Sequence, residues 1–311
     1  MFIENSKLLV KKAFWKKISV SVDKSSIEDL SFDDILKLSK KELLLIQQLE
    51  SYKKFCNNLY DKNILKKVLE KGILYKNLLD FKWKNTQISQ VQLVANFFDN
   101  FPQYFIYESN KTEWSRIPFK EFLSLFKTNK SNYKNKNEIQ EVKNSKKAWD
   151  FLVNKFVFNK AYIKKLYHIL TKNLLQETGD KYPRWFRKVN VIVGNSQVCN
   201  WKSIDKEIDN LILWYKENKK SMFPLQLAFD FHLKFEKIHP FENWNWRVGR
   251  FLLNKILLSN KFLPIIVFSA NREAYFNSIN FQPKSPTNFN QNIWYFFNRI
   301  FLQVFYISVF F

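Results

Sequence analysis

The segment His239-Pro-Phe-Glu-Asn-Trp-Asn-Trp-Arg-Val-Gly-Arg250 places a histidine at one end of a short stretch and two arginines at the other. An imidazole that titrates near neutral pH can take a proton from a hydroxyl. Arg247 and Arg250, three residues apart, can fork onto phosphate oxygens. A helix starting between them and the histidine adds unpaired backbone N–H groups and a partial positive charge, which together make an anion site. Spacing alone leaves a second reading open, with His239 as a helix C-cap and the arginines as solvated charges. Trp244 and Trp246 stand where an anion-binding loop should be thinnest.

The elements that must hold these groups follow from periodicity. Ser203 opens SIDKEIDNLILWYKEN, in which Ile204, Ile208, Leu211, Ile212 and Tyr215 share one helical face. Pro224 stands where a first helical turn accepts proline, and Ala228, Phe231, Phe235 and Ile238 mark the buried side of the helix it starts. Beyond the loop, Val248, Phe251, Leu252 and Ile256 restart the stripe, so His239 ends one helix and Arg247 begins the next. KVNVIVGN (188–195) alternates Val and Ile with polar residues, as a short strand or hairpin arm does. Ser31 can cap a helix whose first turn carries Asp33 and Asp34. Residues 127–137 (KTNKSNYKNKN) are polar, basic and aperiodic, as a linker is. The expected division is an N-terminal helical region (1–126), that linker, a domain over 138–290, and an apolar aromatic helix over 291–311.

Composition sets the class. The 311 residues are 46% hydrophobic, enough for a sizeable core and against global disorder. Eight prolines and four glycines are too few for a turn-rich β architecture and suit an all-α fold. A formal charge of +23 favours acidic partners. The lysines are scattered, however, and abundant Lys, Asn, Phe and Ile is what drift in an AT-rich genome produces. Nucleic-acid binding is therefore not expected as the main function; it would show as salt-sensitive binding independent of His239. Cys56 and Cys199 are isolated and the three histidines are spread, so neither a disulfide framework nor a zinc cluster is expected. MFIENSKLLVKK lacks the apolar core of a signal peptide, which predicts a cytoplasmic protein. Ile293 to Phe311 is long enough to cross a bilayer, but Asn298, Arg299 and Gln303 interrupt it. A last helix packed on the core is expected there, with a membrane contact through Phe310 and Phe311 as the alternative.

HPFENWNWRVGR resembles the signature of the Fic family, H-P-F-x-(D/E)-G-N-G-R-x-x-R, with His239, Pro240, Phe241, Asn245, Arg247 and Arg250 matching. The likeness extends over roughly residues 138–280. EVKNSKKA (141–148) resembles the family's E-V-x-N-x-x-x-A helix, and PRWFRKVNVIVGN its P-G-x-(Y/F)-R segment and flap. LPIIVFSANREAYF (263–276) resembles its closing helix region, and His168 and His232 also fall on family positions. The resemblance implies an all-α Fic-type helical bundle with a short β-hairpin flap. It implies transfer of a phosphate-containing group, usually AMP from ATP, onto a Ser, Thr or Tyr hydroxyl of a target protein. His239 would be the base, Asn245 and Arg247 would hold the nucleotide phosphates, and Arg250 the terminal phosphate. Val189, Asn190, Val191, Ile192 and Val193 would form the flap that binds the target by strand addition.

Several positions depart from the pattern. Asn243 stands where the family has the Asp or Glu that holds Mg2+, and an amide oxygen is a poorer ligand for a hard cation. Trp244 and Trp246 replace both glycines of the anion nest, where a tryptophan at φ > 0 stores ~1–3 kcal/mol of strain. Arg184 replaces the glycine of P-G-x-(Y/F)-R. Many family members carry an inhibitory (S/T)-x-x-x-E-(G/N) helix whose glutamate pairs with the signature's second arginine. NTQISQ (85–90) loosely resembles it and has no glutamate, so Arg250 is expected to lack that partner. Two readings result: a nucleotidyltransferase with an impaired loop, or a non-catalytic Fic-fold protein that binds a partner or nucleotide. The chain also has ten tryptophans against four glycines. If UGA specifies glycine in the source and was read as tryptophan, both replacements arise in translation; UGG codons at 244 and 246 would exclude this.

Overall fold

A computed structural model describes residues 90–194, 196–279, 296–301 and 303. The Ser31-capped helix and all but the last residue of the 85–90 segment lie outside these residues. The chain divides into two compact units, one of Phe101–Asn260 with Ile266–Ile293, the other of Met1–Asn100, Lys261–Ile265 and Trp294–Phe311. In the latter, residues 296–301 are helical and the rings of Phe262 and Phe301 lie 6.5 Å apart. Among the described residues no helix is long and apolar enough to cross a membrane.

The fold is all-α, with a two-stranded hairpin as the sheet among the described residues. Helix α1 (Gln90–Thr112) is followed by α2 (Phe119–Thr128), α3 (Lys136–Asn154) and α4 (Lys160–Thr171). Asparagine side chains start two of them. Asn135 accepts hydrogen bonds from the Asn137 and Glu138 amides at 3.1 and 3.2 Å, and Asn159 from the Tyr162 amide at 2.9 Å. Asn129 ends α2 in the left-handed conformation that asparagine tolerates, at φ 60°. Residues 127–137, expected to be a linker, lie inside the first unit and are tied down. Glu121 accepts from the Ser131 hydroxyl at 2.8 Å and the Asn132 amide at 3.2 Å.

The hairpin comes next. Strand β1 (Ile192–Val193) pairs antiparallel with β2 (Ser196–Gln197), Ile192 opposite Gln197 and Val193 opposite Ser196. Gly194 takes φ 57° in the turn, where a side chain would be strained. Helices α5 (Ile204–Asn218), α6 (Pro224–Ile238) and α7 (Asn245–Ser259) follow, then the short α8 (Arg272–Ser278). The expected stripes are the buried ones: Ile204, Ile208, Leu211, Ile212 and Tyr215 on α5, and Ala228, Phe231, Phe235 and Ile238 on α6. Pro224 occupies the first turn of α6, where its missing N–H costs nothing.

Helices α6 and α7 pack against one another, as do α3 and α4, and α5 covers α6. Aromatic rings fill much of the interior. Phe251 of α7 meets Phe105 of α1 edge-on at 4.9 Å and Trp149 of α3 at 6.3 Å, so this one ring joins three helices. Replacing Phe251 with alanine leaves a cavity that rigid neighbours cannot close. The variant should lose ~3–5 kcal/mol of unfolding free energy in a denaturant titration, and a loss below 1 kcal/mol would contradict this packing.

Candidate active site

The loop between α6 and α7 is braced from within. His239 caps α6 in the left-handed region at φ 49°, its amide donating to the Phe235 carbonyl at 2.9 Å. Trp244 starts α7, also left-handed at φ 72°. Between them the buried Asn245 side chain accepts from the Phe241 amide at 2.9 Å and donates to the Phe241 carbonyl at 2.7 Å. Phe241 drops into the core, its ring parallel to Tyr167 at 3.9 Å and 5.3 Å from Phe186. Asparagine and phenylalanine thus fix the loop's path, and both hydrogen-bonding ends of the Asn245 amide are spent inside it.

A second brace comes from Arg187, which is 1% exposed. Its guanidinium donates to the carbonyls of His239 at 2.8 Å, Val189 at 2.6 Å, Ile238 at 3.3 Å and also Cys199. Its own amide donates to the Pro240 carbonyl at 2.9 Å. One side chain therefore ties both ends of the flap to the histidine loop. Burial holds the Arg187 pKa below its ordinary value, yet a guanidinium stays charged at any physiological pH.

The two arginines do not converge on a common acceptor. Arg247 donates to Glu141 of α3 at 3.4 Å, and the Trp244 indole lies over its guanidinium at 4.0 Å. Arg250, 2% exposed, donates to the Ser109 hydroxyl and carbonyl at 3.0 Å each and to Glu113 at 2.9 Å. The expectation that Arg250 lacks an acidic partner is therefore corrected. The acid lies downstream of residues 85–90, and Ser109-Asn-Lys-Thr-Glu113 has the S-x-x-x-E spacing that NTQISQ lacks. Ser109 and Glu113 flank the end of α1, close enough in sequence to meet one guanidinium.

The His239 imidazole is buried, and burial, with the positive charge of Arg187, lowers its pKa to about 4. It is neutral at pH 7, the state a base requires. Trp246 sits 6.4 Å from it, edge to face, and packs on Tyr275 and Phe276 at 5.5 and 5.0 Å. Trp246 lies in the first turn of α7 without positive φ, so of the two nest tryptophans only Trp244 carries backbone strain.

The flap is shorter than its sequence pattern. Only Ile192 and Val193 pair as strand, while Val189, Asn190 and Val191 lead up to them, with Asn190 accepting from the Trp201 amide at 3.1 Å. Ile192 is 74% exposed. Asn243 is exposed and offers a neutral amide oxygen. Among the described residues no group of three or more His, Cys, Asp or Glu could hold a metal. These residues fit a hard cation such as Mg2+ poorly.

Sequence reasoning did not single out Arg187, Ser109, Glu113 or Glu141. Arg187 was legible as the arginine of PRWFR, and Ser109 and Glu113 as a second S-x-x-x-E spacing; Glu141 carried no signal beyond its place in EVKNSKKA.

Comparison with known proteins bears on this site. Residues 157–257 match the model of the Fic/DOC family. A probable protein adenylyltransferase of Aquifex aeolicus is 30% identical over 137 residues, 43% of this chain and 39% of that protein. The protein adenylyltransferase fic-1 of Caenorhabditis elegans is 28% identical over 94 residues, 30% of this chain and 18% of its own length. The chain thus spans well under half of these relatives. Among solved structures, a Fic domain containing signaling protein from Bacteroides thetaiotaomicron superposes with a TM-score of 0.61 at 16% identity, covering 76% of this chain and 95% of that one. Fic-1 from C. elegans superposes with a TM-score of 0.56 at 15% identity over 97% of both chains. At such identities the likeness is one of fold.

The buried imidazole gives a pH signature. An unfolded histidine titrates near 6.5 and folded His239 at about 4, so between those values the unfolded chain binds more protons. Its contribution to stability is intact above pH 6.5 and falls as pH drops toward 4, by up to ~1.4 kcal/mol per pH unit. Unfolding titrations of wild type and His239→Asn from pH 7 to pH 4 should show the wild type losing ground to the variant. A pH-independent difference would contradict the burial.

Proposed function

We propose, from the match of residues 157–257 to the Fic/DOC family model, that the chain is a protein adenylyltransferase held in check by Glu113. It moves AMP from ATP to a Ser, Thr or Tyr hydroxyl of a target protein. The observation that carries this reading is His239, neutral at pH 7 and fixed at the end of α6, with two arginines in the opening turns of α7 just beyond the loop. The hydroxyl oxygen attacks the α-phosphorus of ATP, the bond to pyrophosphate breaks, and the hydroxyl proton passes to His239 Nε2. Protein groups contribute by positioning and by neutralising phosphate charge. Arg247 and the N–H groups at the start of α7 face the phosphates, and Arg250 takes the terminal one. The β1 edge, with Ile192 exposed, receives an extended target segment by strand addition.

Inhibition follows from the same groups. Glu113 occupies Arg250 at 2.9 Å, so the terminal phosphate meets a guanidinium already neutralised by a carboxylate. A second reading, a Fic-fold binding protein that transfers nothing, is favoured by the Trp244 indole lying over Arg247.

Labelled ATP with Mg2+ separates the two. Glu113→Gly should label itself or lysate proteins well above wild type, and adding His239→Ala should remove that label by ~100-fold or more. Restoring the nest with Asn243→Asp, Trp244→Gly and Trp246→Gly should raise labelling further. No label from any of these variants, together with no nucleotide binding by calorimetry, would leave only the binding-protein reading.

A further inference from the structure

Behind His239 lies a carboxyl group that the proposed chemistry has not used. Glu236 of α6 is fully buried, one turn before His239 and one turn after His232. Its Oε2 is 3.7 Å from His239 Nδ1, and its Oε1 is 3.8 Å from His232 Nδ1. Both separations exceed a hydrogen bond, and neither carboxyl oxygen has a hydrogen-bond partner. The space it occupies is kept open by Gly249 of α7, where a Cβ would come within 2.1 Å of Glu236 Oε1 and 2.8 Å of the His232 ring. His232 Nε2 in turn lies 2.8 Å from the Tyr275 hydroxyl of α8. The charged and titratable groups around Glu236 are thus His232 and His239 on its own helix, Arg250 on α7, Glu113 on α1 and Tyr275 on α8. A carboxyl group so deeply buried is costly unless it is used.

We propose that Glu236 is a positioning residue that biases the tautomer of His239: its Oε2, 3.7 Å from Nδ1, closes up to accept from Nδ1–H beside the Glu236 backbone carbonyl, leaving Nε2 unprotonated to receive a proton. A base oriented by a third group is the general arrangement in proton-transfer sites. Burial pushes the Glu236 carboxyl well above the usual range, with Arg250 drawing it back down. Even with a proton on Oε1, Oε2 remains an acceptor. The importance of the tautomer rests on the reading of His239 as the base; the tautomer itself does not.

Nitrogen-15 NMR of the imidazole rings tests it directly, since the chain has only three histidines and each can be assigned by substitution. Wild-type His239 should carry its proton on Nδ1; a proton on Nε2 overturns the proposal without any variant. Glu236→Met keeps the volume and removes the acceptor, and should bring up the Nε2–H form of His239 while His168 stays unchanged. An unaltered His239 spectrum in a folded Glu236→Met protein also overturns it. Lack of adenylyl transfer by any variant would remove the proposed function and leave this result standing.

A different observation carries a second inference. Among the described non-glycine residues with positive φ, two are tryptophans, Trp114 at 71° and Trp244 at 72°. That region is uncommon for any side chain and an outlier for a bulky one. Both positions follow the backbone course of glycine in a chain with ten tryptophans and four glycines. We infer that positions 114 and 244 are glycine in the native protein, encoded by UGA. The test is to read both codons and weigh the corresponding peptides of the protein purified from its source. UGA with glycine masses supports the inference; UGG, or a tryptophan mass at either position, overturns it.

Discussion

The Arg187 guanidinium is the joint on which the site turns. The carbonyls of Val189, Cys199, Ile238 and His239 would otherwise be left facing inward where the flap leaves and re-enters the helical body. A planar fork with five donors can satisfy four carbonyls at once, one more than the three donors of a lysine reach. The position of the flap is thereby coupled to the position of His239, because the same charge holds both. That charge also disfavours a proton on the imidazole. Structural and chemical consequences of one residue thus point the same way.

Much of the fold was legible because helical stripes are long and redundant. The apolar faces of α5 and α6 were read residue by residue, and Pro224 marked a start that no later packing could move. The loop was legible as a connection with His239 and Arg247 at its ends, since helix termini have chemical signatures that do not depend on distant partners. What the sequence concealed was pairing at long range. Arg250 meets Glu113 across 137 positions, and Arg247 meets Glu141 across 106. Glu113 carries a local sign in its S-x-x-x-E spacing, whereas nothing beside Glu141 shows that it will face an arginine.

The hairpin and the polar run 127–137 both take their form from their partners. Alternation of Val and Ile over 188–195 reads as a short strand or hairpin arm, and since a strand needs a partner, Ile192 and Val193 are the residues of it that pair. The polar run 127–137 looked unstructured because polar residues do not build cores. Here they bind the carboxylates of Glu121 and Glu138 instead, and composition cannot distinguish solvation from such internal bonds. Residues whose partners are other polar side chains are the ones a periodicity argument loses.

The contact between Arg250 and α1 carries one more consequence. A guanidinium whose donors already serve a serine and a carboxylate does not capture an anion; it exchanges one for another. On the proposed function, the affinity for a phosphate there would be a difference between two bound states, in which the desolvation of the arginine has been met before any ligand arrives. The chain's large positive charge gathers anions of every kind at its surface. An anion bound by Arg250 would have to outcompete an anchored carboxylate, so discrimination would rest with the internal rival rather than with the attraction outside.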